Sequence, residues 1–566
     1  MYNAYFNCTN LTGSPVCGDN VIVMALAYYN CTNLTGSPAC GNNVVRMGSA
    51  YYKCANLTGS PVCGPNVVNM DFAYFKCTNL TGKAACGNNV VSMYFTYDGC
   101  NNITEAACGP NVINMAVSFS NCPNITTAVC GNNVKIMETT YRNCANLVTA
   151  ICGPKVESMS HTYADCNKLT IAVCGNNVKS METTYVRCNN LTTAACGPNV
   201  ISMNQTYCDC NKLTEAVCGP NVINMYGTYG HCYGLKIAAC GPNVIDMDST
   251  YSDCTSLTTA VCGNNVINMS DTYRNCRSLK EAVCGPSVIS MYNAYYNCRN
   301  LINPVCGPNV TDMYYTYASC FNIVNPVCGD KVTELFGTYS GCSNIVNPVC
   351  GNNVINMYYT YQRCSNIKNA VCGPNVIRMS DTYNNCTNLT KAVCGQNVRN
   401  MTYAYRNCRS LKEAVCGPNV QSMNYAYYNC INLTEAVCGP NVQNMYYAYY
   451  GCTNLTKAAC GPNVQNMRNA YYGCVNIQNN VYLYSNNVSN MASCFYNRNN
   501  ARSLNIYVLN NSKTLNTCLI TNTYSIVGNS ITWTNNLTNG YYYNSIYNVY
   551  IYPVNNIETA RQNNGD

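Results

Sequence analysis

Residues 430–451 read Cys430-Ile431-Asn432-Leu433-Thr434-Glu435-Ala436-Val437-Cys438-Gly439-Pro440-Asn441-Val442-Gln443-Asn444-Met445-Tyr446-Tyr447-Ala448-Tyr449-Tyr450-Gly451, and Cys452 begins the same phrase again. Working outward, a Cys followed three residues later by Leu or Ile stands at Cys8, Cys31, Cys54, Cys77 and Cys100, a period of 23. From Cys100 the period tightens to 22 and holds through Cys122, Cys144 and Cys166 to Cys474. Twenty-two copies cover about 480 of the 566 residues. A unit this short cannot bury its own apolar face, so a fixed period in the twenties predicts a solenoid of stacked coils.

Within one coil, Cys188 to Tyr207, Leu191, Ala194 and Cys196 alternate with Thr193 and Ala195, the period of a strand with one buried face. Gly197-Pro198-Asn199 marks a turn. Val200, Met203 and Tyr207 follow at spacings of three and four, which fits a short second extended segment or a tight helical turn on the opposite wall. Ladders of Leu, Cys, Val, Met and Tyr therefore line the interior. The Asn before each Leu, as in Asn10-Leu11-Thr12 or Asn190, reads as a bend residue that bonds neighbouring backbone, although many of these also match a glycosylation sequon.

The 46 cysteines follow the same lattice: 22 lead the coils, 21 precede the turn glycine, and Cys208, Cys494 and Cys518 fall outside. Stacked coils hold equivalent Cβ atoms about 4.8 Å apart, whereas disulfides prefer roughly 3.8 Å. The rows are thus read as small buried hydrophobes, not as bridges. Zinc is not expected: paired Cys are eight or nine residues apart, not in close-spaced pairs, and there are two His, His161 and His231.

The unit resembles the BspA-like, or Treponema-type, leucine-rich repeat. The matching residues are Leu433, Cys438, Gly439-Pro440, Val442, Met445, Ala448-Tyr449 and Cys452, with Cys, Met and Tyr standing where the family usually has an aliphatic residue, Ile and Phe. The expected fold is a mainly β leucine-rich-repeat solenoid over residues 1–480. A parallel sheet forms one wall, and short turns or 3-10/helical segments form the other. The resemblance implies a surface-displayed protein of adhesion, and similar Tyr-, Asn- and Cys-rich arrays without a leader look like products of bacteriophages of gut bacteria. Met1 and Tyr2 open directly on a repeat, and Ala560 to Asp566 shows no anchoring motif. The expectation is therefore no export by the general route, or a leader outside this sequence.

The outward strand position two residues after Leu or Ile changes along the chain while the core does not. Its polar members include Glu215, Glu281, Asn303, Asn325, Asn347, Asn369, Lys391, Glu413, Glu435 and Lys457, and this stripe is the candidate ligand-binding surface. An exposed position also drifts without function. A second candidate is the Tyr rim after Met, at Tyr314-Tyr315-Tyr317, Tyr358-Tyr359-Tyr361 and Tyr446-Tyr447-Tyr449-Tyr450, where the third Tyr of each set is assigned to the core. Arg274 to Pro286 and Arg406 to Pro418 are identical, so whole blocks duplicate and length itself is adjustable.

Near residue 480 the pattern fails. Tyr482 stands where the second Cys belongs, and the register is read as lost after Met491. Residues 481–566 are expected to form a small β-rich domain, with strands over Leu504–Leu509, Tyr524–Asn535 and Tyr541–Pro553 and a hairpin turn at Asn539-Gly540. This domain is read as a cap that doubles as a docking module for a partner.

Composition narrows the function classes. Charged residues make up 10% of the chain, the net charge of +8 is dispersed, and no Lys/Arg run marks a nucleic-acid surface. No apolar stretch of about 18 residues crosses a membrane. No catalytic His pairing and no phosphate loop is present, so no enzyme, cofactor or metal is expected. The 51 Tyr suit recognition. The expected function is binding of a host-cell surface glycan or protein, on a virion or a cell surface; the alternative is a structural spacer with no ligand of its own.

Overall fold

The structure, a computed structural model, describes residues 1–477, 479–497, 503–519, 533–536 and 540–564. The chain divides into two compact units, Met1–Val288 and Ile289–Asp566.

In the first unit the coils stack through two rows of parallel pairing. One row runs through the stripe position, with Glu105 beside Thr127 and Thr149, Ile171 beside Thr193, and Glu215 beside Ile237 and Thr259. The other runs through the residue before Met, from Val23 and Arg46 to Asp246 and Asn268. Most contacts are single-residue bridges. Only β1 (Gly82–Lys83) and β2 (Ile103–Glu105) qualify as paired strands. The turn that follows the second Cys cuts the first extended segment short on every coil.

The opposite wall is both extended and turned: one bridging residue, then six residues of turn from the position after Met. Two of those six have positive φ, for example Gln205 (49°) and Asp209 (63°) after Met203. That twist points alternate amides at the next coil: Met203, Gln205, Tyr207 and Asp209 donate to the carbonyls of Asn224, Tyr226, Thr228 and Gly230 at 2.8–3.0 Å.

Side chains complete the backbone bonding. The Tyr229 ring is fully buried and crosses the coil, where its hydroxyl accepts from the Val217 amide (2.8 Å) and donates to the Val217 carbonyl (2.6 Å). It stacks on Tyr207 and Tyr251 at 5.4 and 5.5 Å. A buried phenol needs such a partner, which accounts for Tyr where Phe would fill the same space. The Cys232 thiol donates to the Tyr207 carbonyl (3.0 Å) and the Thr228 hydroxyl to the Met203 carbonyl (2.8 Å).

The leading Cys of each coil from Cys31 onward is fully buried, but the second row is mostly half-buried, at the edge of the core. Coils approach each other closely beside it. A Cβ on Gly241 would lie 2.6 Å from the Gly219 carbonyl oxygen and 2.9 Å from Cys218 Sγ, so only glycine fits. All 46 cysteines are free thiols. Burial pushes Cys54 up to about 12, so it stays protonated at neutral pH.

The second unit repeats the same coil, with stripe bridges from Asn369 to Lys391 and Glu413 and from Glu435 to Lys457, and a second row from Ser290 to Asn466. Here the coil pattern runs further than the sequence predicts. Met467, Asn469, Tyr471 and Gly473 donate to Asn490, Ala492, Cys494 and Tyr496, and Phe495 stacks on Tyr471 at 5.6 Å. The register is therefore kept past Met491; Phe495 fills the Tyr place and a longer spacing hid it.

A five-stranded sheet follows, in the order β3-β4-β7-β6-β5. Its strands are β3 (Asn479–Leu483), β4 (Leu504–Leu509), β5 (Thr534–Asn536), β6 (Tyr541–Asn544) and β7 (Val549–Val554). β3, β4 and β7 pair in parallel, and β5, β6 and β7 antiparallel. β4 matches its expected bounds. The expected Tyr541–Pro553 strand is two strands separated by a turn, and residues 524–532 and Asn539 lie outside the described residues. Two short helices were not foreseen: α1 (Lys513–Cys518), capped by Ser512, and α2 (Ile557–Asn563), capped by Asn556.

Candidate functional site

All ten stripe residues are exposed. Glu215 stands in the first unit's bridge row beside Ile237; Asn369, Lys391, Glu413, Glu435 and Lys457 stand in the second unit's. Glu281, Asn303, Asn325 and Asn347 occupy the same coil position. Where the stripe positions bridge, equivalent residues of successive coils stand side by side. Lys391 reaches Glu413 at 3.4 Å and Lys457 reaches Glu435 at 3.5 Å. Both pairs are more than half exposed, so they add little stability. They do cancel charge along that part of the stripe, while Asn303, Asn325 and Asn347 leave a run of neutral amides.

Sequence reasoning missed a second periodic surface. The Asn after the turn donates its amide to the preceding coil, as Asn441 does to the Pro418 carbonyl (2.9 Å) and Asn243 to Pro220 (2.9 Å). This fixes the side chain and leaves its oxygen along a groove whose other bank is the residue after Val. In the first unit that bank is apolar where Ile223, Ile245 and Ile267 line a cavity of about 460 Å³. In the second it is polar, with Arg399, Gln421 and Gln443 on a cavity of about 600 Å³. The signal was legible: the first of the two residues between Val and Met varies as freely as the stripe does.

The Tyr rim divides as expected at its third members, since Tyr317, Tyr361 and Tyr449 are fully buried. Their neighbours form partly exposed stacks, Tyr425 on Tyr447 (4.8 Å) and Tyr428 on Tyr450 (4.8 Å). Arg406 lies over Tyr403 and Tyr428 at 5.5 and 5.2 Å. His161 and His231 sit in separate coils; burial lowers the pKa of His161, and His231 faces Asp253 at 3.8 Å. Among the described residues, no helix is long and apolar enough to cross a membrane.

Stacked coils with a Leu-bearing strand, a Gly turn and a periodic core define a leucine-rich-repeat protein. The model of the BspA type leucine rich repeat region (6 copies) matches residues 115–236, 243–346, 313–434 and 423–549, and the chain belongs to that family. Among solved structures it is similar to a leucine-rich repeat protein from Bacteroides ovatus, at 17% identity and a TM-score of 0.42 over 56% of this chain and 84% of that one. It is also similar to a leucine rich cell surface protein from Faecalibacterium prausnitzii, at 17% identity and a TM-score of 0.32 over 52% and 78%. No curated protein matches the chain.

Proposed function

We propose that this chain is a non-enzymatic recognition protein that binds a host-cell surface glycan or protein through the sheet face of its coils, displayed at a cell or virion surface. The observation that carries the reading is the division of labour within each coil. Core positions are nearly constant, with buried tyrosine, threonine and cysteine groups bonded to backbone, while outward positions, the stripe among them, change and stay exposed. The BspA-type repeat, associated with adhesion in the proteins it resembles, supports the same reading.

The test is binding of the full chain to bacterial and epithelial cells, isolated polysaccharides and matrix proteins, alongside a variant carrying Asn303→Ala, Asn325→Ala and Asn347→Ala. Selective binding that falls about tenfold or more in the variant, a loss of about 1.4 kcal/mol, is expected. Binding untouched by these substitutions refutes the Asn run as the contact surface. A chain that binds nothing, and whose effect on its host structure changes only when six coils are deleted, is a spacer.

A further inference from the structure

The end of the stripe in the second unit is not open sheet. β3 continues the stack there, with Leu483 bridging Cys460, and α2 packs over the sheet with Ile557 and Ala560 buried against Tyr482 and Tyr507. Between α2 and the last two stripe positions lies a cavity of about 690 Å³. That is within the usual range for small-ligand sites, roughly 300–1,000 Å³.

Asn480 and Tyr482 alternate along β3 and Tyr484 follows at the same spacing just past its end, and all three line this cavity. Tyr482 is held by stacking on Tyr507 (5.0 Å), which stacks on Tyr552 (4.9 Å). Tyr484 is half-buried, and its hydroxyl accepts from Arg561 Nη1 at 3.5 Å. Glu435 and Lys457 stand on the coil side and Glu558 and Arg561 on the helix side, two acids and two bases with no net charge. The thiols nearby are unreactive: burial raises Cys438 and pushes Cys460 up to about 12.

We propose that this cleft between the last coils and α2 is a binding site for a neutral saccharide. Sugar hydroxyls both donate and accept, and neighbouring hydroxyls are best met in pairs by planar groups; carboxylates, a guanidinium and a carboxamide all line the cleft. A pyranose also has an apolar face of C–H bonds, for which the Tyr484 ring offers a platform. A phosphate or acidic sugar would set its charge beside two carboxylates with no excess of positive charge to offset them. A purely apolar ligand would strip water from four charged groups without replacing their bonds. The inference goes beyond the stripe reading and does not depend on it, since the stripe test changes Asn303, Asn325 and Asn347, none of which lines this cleft.

The experiment uses the full chain with methyl glucoside, methyl galactoside, methyl mannoside and N-acetylglucosamine, and with glucuronate and a hexose phosphate as charged comparisons. Binding is read by saturation-transfer NMR and calorimetry. At least one neutral sugar should bind saturably, and Tyr484→Ala and Arg561→Gln should each weaken it about tenfold or more, a loss of about 1.4 kcal/mol. Glu558→Gln, a change at an exposed helix position, should weaken it without lowering the melting temperature, which separates lost binding from lost folding. Asn325→Ala should leave it unchanged. No saturable neutral sugar, a preference for the charged sugars, or equal binding by the cleft variants would overturn the assignment.

Discussion

In the coil that starts at Cys210, a tyrosine hydroxyl bonds the Val217 backbone, the Cys210 thiol the Tyr185 carbonyl and a threonine the Met203 carbonyl. In β4, 504–509, the strand is instead paired over residues 504–508 with β3 on one side and along its whole length with β7 on the other. The contrast shows two ways to satisfy a buried backbone. A coil of 22 residues has no room for long strands, so fixed side chains complete the bonding, and the sequence must repeat to keep them in place. The tail satisfies its backbone through strand pairing, and its sequence is free to be irregular.

High pH should separate the two regions most. Buried thiols and phenols in the coils have raised pKa values because burial disfavours their charged forms. The unfolded chain therefore ionises first, above about pH 9 for Cys and 10 for Tyr, while the fold holds its protons. Stability is full below those values and declines as pH rises toward the folded ones, by about 1.4 kcal/mol per pH unit for each such group. Thermal melting should be level from pH 6 to 8 and collapse above 9. Hydrogen exchange should show the coils opening before β4 and β7, whose buried residues are mostly aliphatic.

Next in size is Gly241→Ala, which puts a methyl group against the neighbouring coil and should cost about 2–3 kcal/mol or more. Gly18 holds the same place after its Cys but has nothing within 4 Å of its would-be Cβ. Gly18→Ala should change melting by less than about 0.5 kcal/mol. Equal effects would show that coil contact is not what requires glycine.

Tyr229→Phe removes both hydroxyl bonds to Val217 and should cost about 1–3 kcal/mol, with loss of exchange protection at the Val217 amide. One coil supplies its own comparison: Phe119, stacked in the same ladder, has no hydroxyl to offer Ala107. Phe119→Tyr should add protection there. In the tail, Ser512→Ala should cost about 1 kcal/mol through the lost α1 cap and leave coil exchange unchanged. Lys391→Ala should also be small, at most about 1 kcal/mol, because its pair with Glu413 is exposed.

The periodic core was legible because every coil must fill the same volume, so Leu, Val, Met and Tyr recur in place. The purpose of the tyrosine hydroxyl was not, since its partner lies twelve residues back and repetition alone does not mark a bond. The coil ending at Tyr496 was hidden by Phe495 and by the 24 residues from Met467 to Met491. Helices of six and seven residues leave too little periodicity to read. The exposure of the stripe followed from strand alternation. The cleft could not be read, because Tyr484 and Arg561 meet across 77 residues of sequence.

The one-way hydrogen bonding of the turned wall has an electrical consequence. Amides at Met445, Tyr447, Tyr449 and Gly451 all point toward the coil that follows, and the same holds one coil on. Each peptide carries a dipole of about 3.5 D, and aligned dipoles add end to end as they do along a helix. The turned wall of the second unit is thus polarised along its stacking axis, positive toward its C-terminal coils. Carbonyls of Asn490, Ala492, Cys494 and Tyr496 accept from Met467, Asn469, Tyr471 and Gly473, so the segment that departs from the 22-residue spacing still lengthens the row of dipoles and adds to its field.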